Sequence, residues 1–192
     1  MTGRTTHLVL LLSGALACAS CEKGLAPEPP PPAANEGEVI TTLRVMFTSV
    51  GGAEQRAFTF QDEDGDGGGI PPVITVDPLS QDSVYTAEVL VLNGTAIPTD
   101  TISLEIAEEA EDHQFFFQFS GSNASVAYND ADANGYPLGL RTTWTVGAAA
   151  TGTVTVTLRH MPDKSAAGVA SGDITNAGGE TDIEVSFPFV VQ

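Results

Sequence analysis

Basic residues are scarce in this chain of 192 residues, which has 7 Lys and Arg against 25 Asp and Glu and a formal charge of -18. A field of that sign repels phosphate backbones and anionic headgroups, so nucleic acid is excluded as a partner. Cysteine is nearly absent, and the two present, Cys18 and Cys21, lie within the first 21 residues. The rest of the chain therefore has no disulfide and no thiol nucleophile. No apolar run after the amino terminus reaches the roughly 20 residues that span a bilayer. Gly-x-Ser-x-Gly is missing as well, which removes the commonest serine-nucleophile turn, and binding rather than catalysis is the expected role. A sustained helical period is also lacking. Hydrophobic residues nevertheless make up 42 % of the chain, too many for a disordered acidic protein, so the acid belongs on a folded surface. Adaptation to salt and the binding of multivalent cations would both favour such a surface.

The opening MTGRTTHLVLLLSGALACASC has a basic residue at Arg4, an apolar stretch over 8–16 and small residues before each cysteine. That order is the mark of an export signal. Its apolar stretch is too short for a membrane anchor, and a cysteine behind small residues points to lipidation. Cys21 is the favoured lipid site because Glu22-Lys23-Gly24 begins a polar segment directly behind it, and Cys18 is the alternative. Residues 1–20 then form the signal. Residues 21–38 are a tether, with PEPPPPAANEGE biased toward an extended polyproline conformation of about 3.1 Å per residue. This arrangement predicts an outer-membrane lipoprotein of the cell envelope, held to the membrane by its lipid, with the leaflet open.

Residues 39–192 carry the globular domain, and their pattern has period two. In TGTVTVTLRH, Val154, Val156, Leu158 and His160 share one face while Thr153, Thr155, Thr157 and Arg159 share the other. Strands are expected at 39–48, 56–60, 73–76, 84–92, 101–106, 113–119, 125–128, 141–146, 151–160 and 183–190. The stretch 108–113 is expected to form at most one helical turn, and the small, polar stretch 164–179 a mobile loop. Short strands separated by Gly, Pro, Asn and Asp predict an all-β fold, an antiparallel β-sandwich immunoglobulin-like in outline; a closed barrel is the alternative.

GEVITTLRVMFTSVGG, DEDGDGGG, EEAEDHQFFFQFSG, VAYNDADANGYPLGL and GTVTVTLRHMPD together resemble a family of small, uncharacterised envelope lipoproteins of Bacteroidetes. The resemblance covers nearly all of the chain beyond the tether. Members are sometimes labelled with a type 1 periplasmic-binding fold, and they accompany outer-membrane TonB-dependent receptors. That fold alternates strands with helices, which the periodicity of this chain does not. The resemblance implies an accessory of TonB-dependent uptake, with a TonB-dependent receptor as partner, and it implies no catalytic residues.

Two constellations could hold ions. Asp62-Glu63-Asp64-Gly65-Asp66-Gly67 and Asp130-Ala131-Asp132-Ala133-Asn134-Gly135 both read D-x-D-x-[DN]-G, the first half of a calcium loop. There, alternate oxygens project toward one point. Asp62, Asp64 and Asp66, and Asp130, Asp132 and Asn134, are the candidate Ca²⁺ ligands, with affinity in the weak extracellular range of about 10⁻⁴ to 10⁻³ M. Val73 and Arg141 stand where a helix-loop-helix site needs its bidentate Glu, which excludes that motif. Such loops are also good Asx-turns. The second constellation is His113 and His160, each at the end of a strand on its apolar parity. With Glu109, Asp112 or Asp163 close in sequence, they suggest a two-His, one-carboxylate transition-metal site. Tyr85, Tyr128, Tyr136 and Trp144 are the aromatics available to stack on a sugar. A calcium-stabilised adhesion or glycan-binding module is accordingly the alternative to an uptake accessory.

The lipid reading has a direct check. Radiolabelled palmitate is expected to enter the chain through Cys21, or through Cys18 in its place, and label that persists after both become Ser would remove the lipoprotein reading.

Overall fold

The computed structural model describes residues 39–65 and 67–192. The signal, both cysteines, the tether and Asp66 lie outside the described residues. Among the described residues nine strands form two antiparallel sheets: β1 (Thr42–Ser49), β2 (Gln55–Gln61), β3 (Val73–Val76), β4 (Ser83–Leu92), β5 (His113–Ser120), β6 (Ala124–Tyr128), β7 (Arg141–Val146), β8 (Ala150–His160) and β9 (Glu180–Val191). One sheet has the order β3-β2-β1-β4-β7-β6 and the other β5-β8-β9, so the fold is an all-β sandwich.

Alternation explains why the two sheets meet. Leu43, Val45 and Phe47 of β1 and Val89 and Val91 of β4 face inward, as do Val154, Val156 and Leu158 of β8 and Val185, Phe187 and Phe189 of β9. Aromatic rings tie the layers together. Phe47 packs edge-on against Phe58 at 4.7 Å and against Trp144 at 4.8 Å, Phe58 reaches Phe187 across the gap at 5.8 Å, and Phe119 reaches Trp144 at 5.0 Å. Side chains of that size bury on the order of 150–250 Å² each and dominate such a core. Pro188 falls within β9, an edge strand of its sheet, where a missing N–H costs no ladder bond on the open side.

Two segments depart from the sequence expectation. The strand expected at 101–106 is instead the helix α1 (Ile102–Glu108), the one α-helix among the described residues. Ile102, Leu104 and Ile106 suggested alternation. In the fold Ile102 and Ile106 are buried one helical turn apart while Leu104 is 65 % exposed, so the true period is 3.6. The Glu- and Ala-rich surroundings, good helix formers, decide the local conformation.

The stretch 164–179 is likewise not a loose loop. It makes two 3₁₀ turns, Val169–Ser171 and Ile174–Asn176, and folds over the outer face of β5. Val169 and Ala177 are buried there against Phe116, and the Gln114 side-chain amide donates to Val169 O at 3.0 Å. This cover accounts for the unbroken buried run of β5, whose first five residues, His113 and Gln114 among them, are all buried.

Lys164 anchors the start of the same stretch. Its side chain is 4 % exposed, and its ammonium donates to Asp132 Oδ2 at 3.0 Å, to Pro137 O at 3.1 Å and to Ala110 O. Burial opposes the charged form of Asp132. The Lys164 ammonium and the N–H groups of Tyr136 and Asn134 outweigh it and hold the carboxyl below the usual range. Removing the ammonium leaves a buried carboxylate uncompensated. Lys164→Met should cost about 3 kcal/mol in urea denaturation at neutral pH. A group held low contributes stability that disappears as pH falls through its folded value, so the difference between wild type and variant should shrink in acid. A loss under about 0.5 kcal/mol would mean that water replaces the lysine freely.

Candidate metal centre

The three-stranded sheet brings three ionisable side chains to one end. His113 opens β5 and pairs directly with His160, which closes β8, and the two rings lie 4.7 Å apart at 37°. The third member is Asp182, near the start of β9. Its position comes from a break in register: Leu158 pairs with Ile183 but Arg159 pairs with Thr181, so Asp182 is an extra residue on the bulged strand. A bulge re-aims one side chain. Strict alternation from Val185 and Ile183 would point residue 182 outward; here its side chain is 5 % exposed and faces both imidazoles. The preceding turn must be tight, and Gly179, at a φ of +68°, supplies it, since any Cβ there would collide with the His160 carbonyl.

The donor atoms converge without bonding to one another. His113 Nε2 lies 3.8 Å from Asp182 Oδ2, and His160 Nδ1 lies 3.9 Å from Asp182 Oδ1, beyond hydrogen-bond range. One ligand atom from each residue, two nitrogens and one oxygen in all, lie within 4.8 Å of one another, the one such group of three among the described residues. His113 Nδ1 sits 3.1 Å from Glu109 O. A carbonyl only accepts, so Nδ1 carries a hydrogen and Nε2 is the ring atom turned toward the carboxylate. Asp182 Oδ2 is buried and has no hydrogen-bond partner. Burial pushes the Asp182 carboxyl above its usual range, the two imidazoles pull it back, and Glu180 adds to the rise.

Metal geometry fits this arrangement. Bonds of about 2.0–2.1 Å at tetrahedral angles place donor atoms about 3.3 Å apart, against 3.8 and 3.9 Å from each imidazole to one of the two carboxylate oxygens and up to 4.8 Å across the three ligand atoms here, so the side chains would draw together around an ion. The Nδ1–H bond to a backbone carbonyl is also the usual way that a ligating imidazole is oriented. His113 and His160 thus come together as the sequence suggested. The carboxylate does not come from Glu109, Asp112 or Asp163. Glu109 contributes its carbonyl, Asp112 its carbonyl to Met161 N, and Asp163 accepts from Ser165.

The two acidic loops differ. In the second, Asp130 accepts from the N–H groups of Gly139 and Arg141, both at 2.7 Å. Asp132 accepts from Asn134 and Tyr136 and from Lys164. An ammonium stands where a cation was expected, and Asn134 donates its backbone N–H to Asp132. In the first loop, Asp64 Oδ2 accepts from Gly69 and Ile70, whereas Asp62 is 9 % exposed with an Oδ1 that has no partner. Tyr85 and Trp144 are core residues, and Tyr128 spends its hydroxyl on Phe115 O at 2.7 Å, where burial pushes its pKa up to about 12. Tyr85 and Trp144 therefore offer no open stacking face, whereas Tyr128 and Tyr136 are half-buried. No protein-family model matches the chain, and no match exists among the curated proteins or the solved structures.

The Asp182 carboxylate should be a liability in metal-free protein. A carboxyl raised on folding adds stability that is present below the ordinary carboxylate range and is lost as pH rises through the raised value. In chelator, Asp182→Asn should therefore melt higher than wild type at neutral pH, by about 1 kcal/mol, with the gap closing toward pH 4. Equal melting at all pH values would show that the carboxylate already has a full set of partners.

Proposed function

We propose that this domain binds a divalent transition-metal ion of the Zn²⁺ class through His113, His160 and Asp182, as the ion-binding part of an envelope lipoprotein accessory to an outer-membrane uptake system. The supporting observation is the convergence of two imidazoles on a buried carboxylate whose Oδ2 has no hydrogen-bond partner. Such a set is costly when empty and has little use in holding strands together that ladder bonds already join. Mixed nitrogen and oxygen donors suit Zn²⁺, Co²⁺ or Ni²⁺, whereas Ca²⁺ prefers six to eight oxygens. Three protein ligands leave a fourth position open. His160 is 15 % exposed against 1 % for His113, so the triad is not wholly sealed from solvent. An open coordination position on a tethered domain suits capture and transfer better than a closed structural site, which is the reason for preferring uptake.

Thermal melts test this reading. A hundredfold excess of free Zn²⁺ over its Kd should add about 2.7 kcal/mol, or roughly 5–10 °C for a domain of this size. His113→Ala and Asp182→Asn should each abolish most of that increment, and acid should abolish it in wild type because the imidazoles must be deprotonated to ligate. An increment that survives in both variants would refute the triad as the site.

A further inference from the structure

A cleft of about 560 Å³ lies between the first acidic loop and the start of β9. Phe60 and Ile183 form its apolar floor, and four carboxylate residues line it: Asp62, Asp64, Asp182 and Glu184. No basic residue is among those lining it. Asp182 belongs to both this cleft and the histidine triad.

Asp62 makes the cleft more than a group of surface acids. It is more than nine-tenths buried, and its Oδ1 is sealed with no hydrogen-bond partner. A carboxylate in that condition calls for a positive charge close by. The cleft carboxylates do not chelate a bare ion jointly, because among the described residues only the triad gathers three ligand atoms within 4.8 Å. A cation that keeps its water shell suits the wider spacing. Metal-to-water and water-to-carboxylate distances together let acids about 4–5 Å from the ion hold it through its waters.

We propose that this cleft is the loading site of the metal centre, receiving a hydrated divalent cation that then exchanges waters for Asp182, His160 and His113. This rests on the triad being a metal site. The cation enters along a path of one sign of charge with apolar walls, an arrangement that focuses the field and accelerates encounter. Asp182 is the first ligand it meets. The two histidines complete the set as the waters leave, and the water shell lost from the ion is replaced by donors already held in place by the sheet. Asp62 and Asp64 act on arrival and not on the final coordination sphere, which separates their role from that of the triad.

Co²⁺ binding to the full chain tests this, since its visible absorption reports entry into the histidine site in stopped flow. Asp62→Asn with Asp64→Asn should slow association about tenfold at low ionic strength and leave dissociation unchanged, and the gap should narrow as NaCl is raised. Asn preserves the acceptor that Gly69 and Ile70 use. The charge-matched control is Asp77→Asn with Asp82→Asn, at the opposite end of β3 and β4, which should associate within about twofold of wild type. Glu184→Gln, on an exposed strand position, should slow association in the same direction by about threefold and serves if the loop variant does not fold. Equal rates in the loop variant and wild type, or an equal slowing in the control, would overturn the loading site while leaving the triad intact. Absence of any Co²⁺ signal in wild type would overturn both.

Discussion

The aromatic seam between the sheets fixes almost everything else in this domain. Phe58, Phe187, Phe119 and Trp144 interlock across the gap, and their burial leaves each strand one permitted facing. A slip of one residue in β5 or β8 would turn Phe115, Phe117, Val154 and Val156 outward, at about 1.5–3 kcal/mol for each side chain exposed. The register that keeps these inside is the same register that sets His113 opposite His160. Histidine placement is thus a by-product of core packing, and the core holds the rings together whether or not an ion is present.

Asp182 is different, because core packing alone would turn it away. The bulge in β9 breaks the parity between Ile183 and Thr181 and brings one carboxylate round to the imidazoles. Bulged ladders lose local pairing, and burying an unpartnered carboxylate adds a further cost. A strand that simply continued its alternation would avoid both. The metal reading gives this departure a reason, since the bulge brings a third ligand atom, on a buried carboxylate, to the two imidazoles.

Legibility from sequence followed the range of the interactions. Period two over Val154, Val156 and Leu158 identified β8 without help, because alternation is a local property of one strand. The helix α1 has no distinct local signal because Ile102 and Ile106, four apart, satisfy both periods, and only the exposure of Leu104 between them tells the two apart. Lys164 and Asp132 lie 32 positions apart, so the ion pair that occupies the second acidic loop had no local signal. Asp182 was invisible for the same reason: a bulge is a mismatch between two strands, and neither strand records it alone. The one hint was that apolar alternation, regular from Val191 back to Ile183, stops at Thr181.

The contrast between the two acidic loops follows from what each had to face. Both bend on glycines and both carry carboxylates at alternate positions. The second loop abuts the stretch that begins at Lys164, and an ammonium on a flexible stem, aided by backbone N–H groups, neutralises Asp132 permanently. The first abuts the acidic start of β9, where Asp182 and Glu184 add negative charge to the cleft. Similar motifs have therefore come to opposite electrostatic ends. A fixed internal cation makes a rigid joint, whereas a carboxylate left without one keeps a standing attraction for ions from solution. In a chain with only 7 basic residues, committing one of them to Asp132 and none to the cleft leaves that attraction concentrated beside the histidines.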